Sequence, residues 1–111
     1  MSTLGVFREK SVEELERDSP SIKDGMNWEN ERRLRTLSAK LIQNVGIKLT
    51  LPQICIATAV TYFHRFFAQH SFKKHDRLML CAASLLLASK VEEAPRPLKS
   101  IITCVYLQRF K

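Results

Sequence analysis

The chain has 111 residues, 45% of them hydrophobic, which suffices for one core and not two. With 3 Gly and 4 Pro, the composition favours helices joined by short connections and gives little support to an all-β protein. Lys and Arg number 18 against 11 Asp and Glu, a formal charge of +7 that attracts phosphates and acidic protein surfaces. These basic residues are spread as Arg32/Arg33/Arg35, Lys73/Lys74, Arg96/Lys99 and Arg109/Lys111, without the aromatic-interleaved run of a single-strand binder, so direct nucleic-acid binding is not expected.

Residues 1–26 read as a peripheral N-terminal arm. Met1 to Lys10 is mixed and polar, unlike a secretory leader, and no apolar run is long enough to span a bilayer, so a soluble intracellular protein is expected. Ser11 and Glu14 have capping-box spacing and predict a short helix, which Ser19-Pro20-Ser21 should end; Asp24-Gly25 then predicts a turn.

Residues 27–111 carry the main pattern, with helices expected at about 28–45, 51–69, 76–93 and 97–109. From Trp28, the residues Leu34, Leu37, Leu41, Ile42 and Val45 mark one helical face, and Gly46 would allow a left-handed stop. Thr50 and Gln53 have capping-box spacing for the second helix, with Pro52 in its first turn. That helix has apolar residues on more than one face, from Ile54 to Phe67, and should be largely buried. Asp76 caps a third segment, Leu78 to Val91, that is apolar almost all round and therefore reads as the central core helix. After Ala94-Pro95-Arg96-Pro97, a fourth amphipathic helix carries Leu98, Ile101, Ile102, Val105 and Tyr106.

No catalytic constellation is visible, so an enzyme is not expected, nor any cofactor. Cys55, Cys81 and Cys104 are widely spaced among apolar neighbours and read as core thiols rather than disulfide partners or metal ligands. His64, His70 and His75 lack the spacing that places two imidazoles on one helical face, so they read as packing or surface residues and no metal site is predicted. Glu92 and Glu93 point about 100° apart on a helix and do not form a carboxylate dyad; taken alone they read as a solvated helix end.

Lys90 is the unusual residue, following the apolar run Leu85 to Ser89 and preceding Val91-Glu92-Glu93. A lysine at the edge of a core helix ordinarily snorkels to water. A partly buried ammonium there, with three donors, would also suit the free carbonyls and negative dipole at the end of a partner's helix.

The run Leu-Leu-Leu-Ala-Ser-Lys-Val-Glu-Glu at 85–93 resembles the third-helix motif of the cyclin box. Ser19-Pro-Ser, Leu41-Ile-Gln-Asn-Val-Gly, Leu51-Pro-Gln, Tyr62-Phe-His-Arg-Phe-Phe and Glu92-Glu-Ala-Pro-Arg extend the likeness to transcription-type cyclins of the K, L and T groups, leaning towards L, over roughly residues 12–105. The resemblance implies an all-α cyclin-box bundle around a central hydrophobic helix, with four main helices present and the fifth missing. It implies a nuclear regulatory subunit that binds and activates a cyclin-dependent protein kinase in RNA polymerase II transcription or RNA processing. The alternatives are a nucleic-acid-associated cyclin-fold transcription factor and an inactive truncated cyclin. On this resemblance the kinase-binding residues are Lys90, Leu87, Val91, Glu92 and Glu93, and the structural residues are Arg35, Asn44 and Trp28. Asn44 stands where many family members carry an aspartate partner for the arginine matched by Arg35, so a hydrogen bond at most is expected between the two.

Overall fold

A computed structural model of the chain describes residues 19–109. Among the described residues five helices follow one another: α1 Pro20–Lys23, α2 Trp28–Lys48, α3 Gln53–Gln69, α4 Arg77–Val91 and α5 Leu98–Gln108. No strand occurs among the described residues, and the all-α bundle expected from the sequence is what they form. The helix proposed around Ser11 lies outside the described residues.

Several helix ends differ from the sequence reading, each for a local reason. Ser19-Pro20 starts a helix: Ser19 Oγ accepts from Ile22 N at 3.2 Å, and Pro20 occupies the first turn, where a missing N–H costs nothing. Asn27 caps α2 by accepting from Asn30 N at 2.8 Å. Gly46 does not stop α2, which continues to Lys48. Its role is close approach, because a Cβ at 46 would stand 2.5 Å from Cγ1 of Ile56 on α3. The left-handed residue is Thr50, at φ 54°, and the capping box proposed for Thr50 and Gln53 does not form: Pro52 holds the N-cap position of α3 without a side-chain bond. Instead Leu51 N donates to Gly46 O at 2.9 Å and Thr50 N to Ile47 O at 3.0 Å, closing α2 in a Schellman motif.

Asp76 caps α4 by accepting from Leu78 N at 2.9 Å. The far end of α4 repeats the Schellman geometry, with Glu93 at φ 56°, Ala94 N donating to Ser89 O at 2.8 Å and Glu93 N to Lys90 O at 3.2 Å. Glu93 therefore lies outside the helix.

The core forms where α4 packs against α2, α3 and α5, while α5 also packs on α2. Ile42, Val45, Cys55, Ala59, Phe63, Phe67, Cys81, Leu85, Ala88, Ile101 and Val105 are fully enclosed. Phe67 stacks on Phe72 with ring centroids 3.8 Å apart and planes 4° from parallel.

The segment holding α1 is not peripheral from Ser19 onward. Ser19 and Ser21 are fully buried, and α1 packs on α2 and α3. Ser19 Oγ donates to Glu31 Oε1, whose other oxygen accepts from Arg35 Nε at 3.0 Å. Arg35 reaches on to α3, donating from Nη2 to Phe67 O at 2.8 Å and from Nη1 to His64 O at 3.3 Å and His64 Nδ1 at 3.1 Å. Arginine has no acceptor, so His64 Nδ1 must accept and its proton sits on Nε2. Burial draws the Arg35 guanidinium below its ordinary value, and the adjacent Glu31 carboxylate opposes that shift. Ser21 Oγ accepts from Phe72 N at 2.8 Å and fastens α1 to the loop after α3.

Candidate functional site

An apolar helix that contacts three others still has a fourth side. On α4 the buried residues Leu78, Cys81, Ala82, Leu85, Ala88 and Ser89 define the inner face. Met79, Ala83, Leu87 and Val91 follow one another at four-residue spacing and so form a single stripe, and all are exposed. Leu87 is 51% and Val91 53% accessible, so the stripe presents contiguous large apolar side chains to solvent. The expectation that α4 is buried all round is corrected: α2, α3 and α5 do not encircle it.

Lys90 sits three residues beyond Leu87, in the last turn of α4 on the same exposed side. It is exposed, not partly buried, as a long cationic side chain at the edge of an apolar helix commonly is. Its ammonium makes no hydrogen bond or ion pair among the described residues. The last turn of a helix favours a cation, since the final carbonyls lack helical partners and carry partial negative charge.

Glu92 and Glu93 behave differently from each other. Glu92 is half-buried at the C-cap of α4, and its Oε2 accepts from Thr58 Oγ1 of α3 at 3.1 Å, so it is not the free solvated carboxylate its position suggested. Glu93 is exposed and matters through its left-handed backbone. The structure thus places Leu87, Lys90 and Val91 on one open face and turns Glu92 towards α3.

The three residues assigned structural roles separate too. Arg35 is buried at the centre of the network that joins α1, α2 and α3. Trp28 is half-buried at the start of α2. Asn44 is exposed and forms no bond with Arg35. Nine residues separate the two along α2, and Arg35 turns instead to Glu31, one helical turn away, at 3.0 Å.

Sequence reasoning missed two parts of this region. The stripe runs back from Leu87 to Ala83 and Met79, which the four-residue spacing could have revealed. Arg96, in the loop after α4, donates from Nε to Leu49 O at 2.9 Å and from Nη2 to Thr50 O at 3.1 Å, so it spans to the α2–α3 turn. Its partners are main-chain carbonyls and leave no side-chain signal.

Among the described residues, no group of three His, Cys, Asp or Glu could hold a metal ion, and no helix is long and apolar enough to cross a membrane. Burial raises all three thiols: Cys81 is pushed up to about 12, and Cys55 and Cys104 are shifted in the same direction.

Residues 6–110 match the family model for the cyclin N-terminal domain. The chain belongs to the cyclin family. Its relatives include cyclins of the T and L types. It is 42% identical to Cyclin-T1-3 of Oryza sativa subsp. japonica over 93% of this chain and 21% of the relative. It is 44% identical to Cyclin-L1 of Xenopus laevis over 84% of this chain and 19% of the relative. With Cyclin-T of Drosophila melanogaster the identity is 46%, over 77% of this chain and 8% of the relative. The chain therefore spans about a fifth or less of the length of these three cyclins. Within the cyclin box, the Leu87-Lys90-Val91 face lies on the third of the four long helices.

Proposed function

We propose that this cyclin chain is a regulatory subunit that binds and activates a cyclin-dependent protein kinase acting in RNA polymerase II transcription or RNA processing, in the nucleus. It carries out no catalytic step of its own, needs no cofactor, and has a protein partner rather than a nucleic acid or a membrane. The observation that carries the reading is the open face of α4: a line of apolar side chains ending in an ammonium with no partner among the described residues, on a helix whose opposite side is packed in the core. Membership of the cyclin family and relatives of the T and L types support it.

The chemistry of that face suggests how activation works. Leu87 and Val91, with Met79 and Ala83 behind them, give a partner helix apolar surface to cover, at about 25 cal/mol per Å² removed from water. Lys90 donates to carbonyls at the end of the visiting helix, where several lack partners. Glu93 stands beside it as an exposed acceptor, while Glu92 holds the end of α4 against Thr58. A kinase whose regulatory helix is held inward can pair its own glutamate with the lysine that positions ATP phosphates. The chain shifts the kinase because it binds one of two states better than the other.

The test is to measure peptide phosphorylation by a panel of purified transcription-class cyclin-dependent kinases with and without the chain. One kinase gaining activity, with the gain abolished by Leu87→Asp, is the expected result. No kinase gaining either affinity or activity contradicts the proposal.

The alternative of a nucleic-acid-associated cyclin fold would use Arg32, Arg33, Lys73 and Lys74, all of which are exposed. Arg35, by contrast, is spent inside the protein. Binding to RNA or DNA that falls steeply with salt and depends on those four residues would favour that alternative.

A further inference from the structure

The C-terminal ends of α2 and α4 meet at one side chain. Arg96 donates from Nε to Leu49 O at 2.9 Å and from Nη2 to Thr50 O at 3.1 Å, both at the end of α2. Its Nη1 donates to Ala94 O at 3.0 Å and Pro95 O at 3.1 Å, just beyond the end of α4. One guanidinium thus joins the carbonyls that end α2 to the loop carbonyls that directly follow α4.

Both ends are closed by a residue with positive φ that is not glycine, Thr50 at 54° and Glu93 at 56°. Such backbone conformations cost free energy and persist where surrounding contacts hold them, and for a β-branched threonine the cost is greater. Each left-handed residue has Arg96 bonded to its own carbonyl or to that of a neighbour: Leu49 and Thr50 on one side, Ala94 on the other.

The clamp lies within a few residues of the open face. Lys90 O and Ser89 O accept the bonds that close α4, and Glu93 and Ala94 are the donors. The last turn of α4, which carries Lys90 and Val91, is therefore fastened through Glu93-Ala94 and Arg96 to the α2–α3 turn. We infer that Arg96 is a positioning residue for partner docking, holding the last turn of α4 so that Lys90 and Val91 meet the visiting helix in register. The inference rests on the kinase-binding reading of that face. Only a planar fork reaches carbonyls on two separate turns at once; an ammonium offers its three donors from a single point.

A double-mutant cycle on affinity for the partner kinase tests it, using the full chain as wild type, Lys90→Ala, Arg96→Ala and the double variant. Arg96→Ala is expected to weaken binding by about tenfold and to shrink the effect of Lys90→Ala, the non-additivity of residues that act together. Arg96→Lys should behave like Arg96→Ala. Thr50→Gly combined with Arg96→Ala separates positioning from folding, since glycine relieves the left-handed strain and restores stability. Affinity should stay low in that combination, and its recovery to the wild-type value would overturn the inference. Additive losses from Lys90→Ala and Arg96→Ala would overturn it as well, leaving the kinase-binding reading intact. No loss from Lys90→Ala alone would remove the kinase-binding reading itself.

Discussion

Gly46 and Ile56 approach so closely that a Cβ on Gly46 would lie 2.5 Å from Cγ1 and 2.8 Å from Cδ1 of Ile56. Ile56 is buried, so its side chain has little room to yield. The contact sets how near α2 and α3 pass, and hence the floor on which α4 rests.

Gly46→Ala is expected to lower stability by about 1–3 kcal/mol through overpacking, although alanine is the better helix former. Urea denaturation measures this. Adding Ile56→Ala should make the double variant less unstable than the sum of the two single changes, because the smaller side chain vacates the space. A stabilising Gly46→Ala would show that the helices can move apart freely.

That contact also shows what the sequence pattern can and cannot reveal. The four long helices are legible in the spacing of Leu34, Leu41, Ile42 and Val45 and of Ile101 and Val105, since a buried helical face writes its own period into the chain. Gly46 was misread because its function depends on Ile56, on another helix. The left-handed end at Thr50 is not legible because such a position is usually glycine, and the Arg96 bonds to Leu49 O and Thr50 O beside it come from another segment. On α4 nearly every residue is apolar, so the pattern could not separate the core face from the stripe at Met79, Ala83, Leu87 and Val91. The likeness to the cyclin box named Leu87, Lys90 and Val91, whereas the Ser19–Glu31 bond and the reach of Arg96 to Leu49 and Thr50 join residues far apart in sequence.

The buried pair Glu31–Arg35 makes a second prediction. Glu31→Ala leaves the Arg35 guanidinium enclosed without its counter-charge and should cost about 3–5 kcal/mol, whereas changing Glu31 to Leu and Arg35 to Met together should cost less. Equilibrium denaturation in urea compares the two. A loss below about 1 kcal/mol for Glu31→Ala, the size of an exposed ion pair, would mean that the network does not hold α1 in place.

Cys81 makes the pH dependence of stability specific. Its thiol is raised from an ordinary 9.0 to about 12 by burial, so between those values the folded chain keeps a proton that the unfolded chain releases. The stability this provides is fully present below about pH 9 and is lost as pH rises towards 12. Urea denaturation at pH 8 and pH 10 should show a fall in stability that is smaller in Cys81→Ala than in the wild type. An identical fall in both would contradict the assignment. At pH 8, Cys104, the half-exposed thiol, should alkylate before Cys55 and Cys81.

The central claim is that Lys90 fixes the end of a partner kinase's helix. Calorimetric titration of the kinase with the wild-type chain and with Lys90→Ala measures this most directly. The account predicts a loss of about 2–5 kcal/mol in binding free energy, the cost of truncating one partner of a charged contact that becomes buried on docking. Wild-type affinity in a folded Lys90→Ala chain would contradict it.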